Sequence, residues 1–125
     1  MPPEKLVFIT TINGKITSLL GLEDPIKVYR SKGLLTHLIN RKHFCAAKYI
    51  DYIPDIIQKP DYVGGNKEKI EFVKCFKNNI LLSVKLDKNK GIMYVSTMFE
   101  VKQSKIDSYC KNGRLIKLDK ILNSL

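Results

Sequence analysis

Ile70-Glu-Phe-Val-Lys-Cys-Phe76, Ile80-Leu-Leu-Ser-Val-Lys-Leu-Asp87 and Ile92-Met-Tyr-Val-Ser-Thr-Met-Phe-Glu-Val101 are three apolar runs separated only by Lys77-Asn-Asn79 and Lys88-Asn-Lys-Gly91. Runs of strand length divided by short Asn- and Gly-containing breaks predict antiparallel strands joined by tight turns. In the second hairpin, setting Asp87 opposite Ile92 places Lys85 against Tyr94 and Ser83 against Ser96. Leu82, Val84 and Leu86 then share one face with Met93, Val95 and Thr97, while Ser83, Lys85, Tyr94 and Ser96 share the other. The greasy face is expected to pack on helices. The polar face, taken alone, is what any one-sided sheet shows to solvent.

Working outward, Gln103–Lys111 reads as a short helix stopped by Asn112-Gly113, and Arg114–Leu118 as a fourth strand. Upstream, Ser31 is placed to cap a helix reaching about Arg41, with Leu34, Leu35, Leu38 and Ile39 on one stripe. Continuing it would bring Lys42 onto that stripe, so it ends near Arg41. A second helix is expected over Cys45–Gln58, broken near Ile53 by Pro54, with Gly64-Gly65-Asn66 as loop. At the N-terminus, Leu6–Ile12 and Ile16–Leu20 flank Asn13-Gly14, a strong hairpin signal. Gly21–Pro25 is a turn. The expected fold is α+β: two N-terminal-half helices on a four-stranded antiparallel sheet, with an extra N-terminal β-hairpin over residues 1–25.

A chain of 125 residues with 44% apolar content suits a single modest core. Lys and Arg number 22 against 12 Asp and Glu, a net charge of +10 and a pI near 9.6. Such an excess draws polyanions, nucleic acid above all, although a lysine-rich solvated surface has the same composition. Cys45, Cys75 and Cys110 are odd in number and widely spaced, which suits free, small apolar groups in a reducing cytoplasm better than a disulfide framework. Met1-Pro-Pro-Glu-Lys5 is no apolar leader, and no run is long enough for a membrane helix. Cytoplasmic location and no membrane partner are the expectations.

The densest chemical cluster is His37-Leu-Ile-Asn-Arg41-Lys-His43, which holds both histidines of the chain around an Arg-Lys pair. Imidazole serves as either general base or general acid near neutrality, and a neighbouring cation offsets charge that develops on a phosphoryl group. On a helix His37 and Arg41 share a face, and His43 joins them only if the helix ends at Arg41. The plain alternative is a basic helix end favoured by the macrodipole. A zinc site from His37, His43 and Cys45, with Cys75 or Cys110, matches no familiar spacing. Glu23-Asp24 and the pair Asp51 and Asp55 read as a turn and a solvated helix face. No phosphate-binding GxxxxGK[ST] or GxGxxG motif is present. Ser104, Lys105 and Arg114 could hold phosphate, and Tyr49, Tyr52 and Tyr62 could stack bases, though packing is the commoner role for such residues.

Gly33-Leu-Leu-Thr-His37-Leu-Ile-Asn-Arg41-Lys-His43, Ile53-Pro-Asp-Ile-Ile57 and Pro60-Asp-Tyr62, followed by Phe72-Val-Lys74, Leu82–Asp87, Met93–Phe99, Ser104-Lys105 and Gly113-Arg-Leu115, together resemble the phage-associated branch of the barnase–EndoU–colicin–RelE nuclease superfamily. The resemblance runs from about Ile26 to Lys117, so residues 26–125 would be the nuclease domain. It implies metal- and cofactor-independent endonucleolytic cleavage of RNA through a 2′,3′-cyclic phosphate, by a toxin or phage-encoded effector acting on tRNA or another structured RNA. By position it matches His37, Arg41 and His43 to a catalytic helix motif and Ser96 or Thr97 to a catalytic polar position on the sheet, of which the hairpin register above favours Ser96. Lys42, Lys85, Tyr94, Thr97, Ser104, Lys105 and Arg114 become candidates for RNA and phosphate binding. A protein antitoxin or another phage or host partner is a further implied partner. Two other outcomes keep the same fold: a nucleic-acid-binding module without turnover, and a protein-interaction or inhibitor protein.

Overall fold

The computed structural model describes residues 6–23 and 25–118; the Met1–Lys5 stretch and Asp24 of the Gly21–Pro25 turn lie outside the described residues. Along the chain follow β1 (Leu6–Thr11), α1 (Gly14–Leu19), β2 (Lys27–Ser31), α2 (Leu34–Asn40), α3 (Phe44–Ala47), a 3-10 turn (Ile50–Tyr52), α4 (Ile53–Gln58), β3 (Tyr62–Gly65), β4 (Lys69–Cys75), β5 (Asn79–Asp87), β6 (Ile92–Glu100), α5 (Gln103–Lys111) and β7 (Ile116–Lys117). The strands form one sheet in the order β1-β2-β6-β5-β4-β3-β7. β2 runs parallel to β6, and the other neighbouring pairs are antiparallel.

The α+β class and the β4-β5-β6 meander agree with the sequence reading; the sheet's size and the helix count do not. The sheet has seven strands and is mixed, and the helices among the described residues number five, besides the 3-10 turn. Asn13-Gly14 makes no hairpin. A type I′ turn needs positive φ at both residues, but Asn13 sits at φ −53° and its side chain caps α1, accepting the Lys15 N–H at 2.9 Å. The helix carries Ile16 into the core at 2% exposure. Burying that side chain contributes about 1.5–3 kcal/mol, more than the roughly 1 kcal/mol span of strand propensity. β1 pairs instead with β2.

Gly64 and Gly65 belong to β3, not to a loop. A Cβ on Gly64 would stand 1.8 Å from the Arg114 carbonyl oxygen, so the side-chain-free backbone lets the β7 segment come close. β7 accordingly extends the sheet beyond β3 rather than beyond the meander. Ser31 ends β2 and caps nothing; α2 starts at Leu34. Pro54 falls in the first turn of α4, where its missing N–H costs nothing, and the expected long second helix becomes α3, the 3-10 turn and α4.

Alternation along the strands gives the sheet two apolar faces. Phe72, Ile80, Leu82, Val84, Met93 and Met98 meet Ile16, Leu34, Leu38, Ala46, Ile53, Ile56 and Ile57 from α1 to α4. On the other face Tyr62, Val73 and Leu81 meet Ile106 of α5 with Val101 and Leu115. The α2 stripe is narrower than its sequence suggests, for Leu35 and Ile39 are 42% and 45% exposed.

Candidate active site

β2 pairs with β6 only through Val28–Met93 and Tyr29–Tyr94, and beyond that point α2 and α3 stand beside β6 in place of a strand. A trough follows β6 along this seam. One half, about 310 Å³, is lined by Leu6, Ser31, Leu34, His37, Asp87, Lys90, Tyr94, Val95 and Ser96. The other, about 460 Å³, is lined by His37, Arg41, His43, Ser96, Thr97 and Phe99. His37 and Ser96 border both halves and so mark the centre.

Two local irregularities bring these groups together. The first is the end of α2. The Lys42 N–H donates to the Ile39 carbonyl at 2.9 Å and the His43 N–H to the Leu38 carbonyl at 2.8 Å. These bonds, with Lys42 at φ +61°, form a Schellman cap. The cap reverses the chain immediately after Arg41, so that His43 returns to the groove that His37 and Arg41 line. The second is a β-bulge. Val84 pairs with Val95 but Ser83 pairs with Thr97, leaving Ser96 as the extra residue of β6. The expected Ser83–Ser96 pairing is corrected accordingly. Past the bulge the alternation flips: Met98 turns into the helix-side core, and Thr97 stands with Ser96 in the groove.

Neither imidazole is entombed, since His37 and His43 are both partly exposed. His43 lies 5.9 Å, centroid to centroid, from the ring of Phe99, a groove residue that sequence reading does not single out. Only the bulge gives Phe99 this orientation, and no residue pattern announces the bulge. The half of the trough around His43 has no carboxylate in its lining, and Arg41 there is exposed. Anion binding and proton transfer are what such a lining can do. At the start of α3, partial burial and then the neighbouring Glu100 carboxylate push the Cys45 thiol up, which disfavours its thiolate.

The remaining candidates scatter. Tyr94 lines the trough, and Lys85 is exposed on β5 directly opposite it. Lys42 is exposed and forms the cap. Ser104 and Lys105 lie on α5, Lys105 with its ammonium 5.8 Å from the Tyr109 ring. Arg114, although partly exposed, is engaged by an intramolecular partner. Its Nε and Nη2 donate to the two carboxylate oxygens of buried Glu71, each at 2.7 Å, and its guanidinium lies 4.0 Å from the Tyr109 ring centre. Those bonds hold the Glu71 carboxyl below the usual range against the opposing effect of burial. Tyr49 stacks on Phe76 at 4.5 Å and donates to Asn78, Tyr52 packs on the same ring, and Tyr62 is buried. Of the free cysteines, Cys45 and Cys110 are half-buried and pack against the two cores as small apolar groups, whereas Cys75 is exposed and departs from that expectation.

Among the described residues no three His, Cys, Asp or Glu side chains gather as a metal-binding group, and no helix is long and apolar enough to cross a membrane. No curated protein and no solved structure matches the chain. The model of one family, described as phage-Barnase-EndoU-ColicinE5/D-RelE like nuclease3, matches residues 7–108, β1 through most of α5, and the chain belongs to that nuclease family.

Proposed function

We propose that this nuclease is a metal-independent endoribonuclease whose active site is the trough beside β6. The observation that carries the reading is the shared lining: His37, Arg41, His43, Ser96 and Thr97 border one accessible groove although they come from two distant segments. One imidazole removes the 2′-hydroxyl proton of the bound ribose. The freed oxygen attacks the adjacent phosphorus, the bond to the 5′-oxygen breaks, and the second imidazole protonates that leaving oxygen. The products are a 2′,3′-cyclic phosphate and a 5′-hydroxyl end. Arg41 balances the charge that builds on the non-bridging oxygens, and the Ser96 and Thr97 hydroxyls donate to them. The net charge of +10 raises the encounter rate with RNA. A structured RNA such as tRNA is the proposed substrate, and a toxin or phage effector role fits the family.

Purified protein incubated with total cellular RNA in EDTA tests this reading. Cleavage with cyclic-phosphate ends is expected, and it should vanish in the His37→Ala/His43→Ala double variant. RNA left intact by the parent protein, or cut equally by the double variant, overturns it.

A further inference from the structure

The strand registers align one row of side chains across five strands. Phe8 pairs with Tyr29, Tyr29 with Tyr94, Tyr94 with Lys85, and Lys85 with Lys69. Val28 and Met93, the neighbours of Tyr29 and Tyr94, point into the helix-side core, so alternation turns both tyrosines to the opposite face. On that face α5 packs over Val73 and Leu81 of β4 and β5, with Phe99 at the far end of β6 alongside, and neither Tyr29 nor Tyr94 belongs to that cluster. Phe8 is left 50% exposed, its ring edge-on to Tyr29 at 5.4 Å. Strands about 4.8 Å apart make the row roughly 19 Å long.

An exposed Phe on an edge strand is common and by itself means little. Here three aromatic rings stand in register, two lysines continue the line, and Tyr94 also lines the trough that holds His37 and Ser96. We infer that Phe8, Tyr29 and Tyr94 form a base-stacking platform for an unpaired RNA segment entering the active-site trough, with Lys85 and Lys69 as cations for its phosphates. This rests on the ribonuclease reading and narrows its substrate to single-stranded stretches, such as loops and ends. Bases in a duplex are already stacked on one another and offer only their edges, whereas unpaired bases expose faces that any aromatic ring can take.

The test measures binding of a fluorescent single-stranded RNA of about ten nucleotides, and of the same sequence as duplex, to the full chain carrying His37→Ala/His43→Ala. Adding Phe8→Ala or Tyr29→Ala is expected to weaken single-strand binding about 5- to 100-fold. Phe8→Leu should lose nearly as much as Phe8→Ala, and Tyr29→Phe should lose little. Thermal melts confirm that each variant folds, and Phe8→Leu keeps the test open if Tyr29→Ala does not. Unchanged affinity in folded Phe8→Ala and Phe8→Leu proteins overturns the platform, as does duplex bound as tightly as single strand. Dimers that dissociate on Phe8→Ala without any change in RNA affinity overturn it too, in favour of a contact between copies. RNA cleavage by the parent, scored separately, keeps the two readings apart. Phe8-dependent binding without cleavage supports the platform and sinks the nuclease mechanism, while cleavage and binding both indifferent to Phe8 do the reverse.

Discussion

Replacing Lys42 separates what its backbone does from what its charge does. Lys42 sits at φ +61°, where an L-residue pays roughly 1–2 kcal/mol relative to the right-handed region. Glycine removes that strain but loses about 0.4–1 kcal/mol more conformational freedom on folding. Lys42→Gly is therefore expected to stabilise the protein by about 0.5–1 kcal/mol, raising Tm by roughly 2–4 °C in a domain of this size. Lys42→Val asks a β-branched side chain to adopt the same conformation. About 1–2 kcal/mol of added strain should lower Tm by roughly 4–8 °C. The two changes remove the same charge, so cleavage assays reveal the geometric part. If the cap is what returns His43 to the groove, Lys42→Gly keeps kcat near the parent's and Lys42→Val lowers it several-fold. Equal losses of cleavage in both variants, with equal weakening of RNA binding, would mean that the ammonium matters and the cap does not. A Lys42→Gly protein that melts below the parent would refute the strain argument itself.

Other expected outcomes test the supports around the groove. Arg114→Met strands the buried Glu71 carboxylate; because the guanidinium is itself 41% exposed, the cost is discounted to about 2 kcal/mol, roughly 6–10 °C in thermal unfolding. Glu71→Leu combined with Arg114→Met should recover much of that loss, and no recovery would show that the pair is not coupled. The Glu71 carboxyl is held below its ordinary value of 4.5, so its contribution is full above that pH and is lost as pH falls through the lower folded value. The acid limb of a melting-temperature profile should therefore flatten in Glu71→Gln, and an unchanged limb would contradict the linkage. Gly64→Ala drives a methyl group against the Arg114 carbonyl and should cost about 3 kcal/mol by chemical denaturation; a neutral result would mean that β7 moves aside freely. Ser96→Ala and Thr97→Ala should each slow cleavage without lowering Tm, as measured by single-turnover kinetics, since both side chains face the groove and not the core.

Much of the sheet could be read from residue type because its signals are local. The three meander runs are bounded by Asn, Lys and Gly, and strands, turns and the α5 boundaries came out as expected. The His37–His43 cluster was legible too, since an imidazole at each end of an Arg-Lys pair stands out in a chain with two histidines. Failures came where distant partners decide. Asn13-Gly14 carries a hairpin signal, yet Ile16 finds a core and Asn13 a capping role. Gly64-Gly65 looks like loop until the 114 backbone is seen lying against it. Arg114 looks like a phosphate ligand until Glu71, 43 residues away in sequence, takes its Nε and Nη2 donors.

Composition, periodicity and turn residues alone determined a basic α+β chain, an antiparallel meander, and a helix end rich in imidazole and cationic groups. Each of these depends on neighbours within a few positions. Only the tertiary structure decided that β2 lies parallel to β6, that a bulge at Ser96 turns Thr97 and Phe99 into the trough, and that Phe8, Tyr29 and Tyr94 fall in one row. Register and sheet order are set by which apolar faces can be buried together across the whole molecule, a sum over distant contacts that no short window of sequence contains.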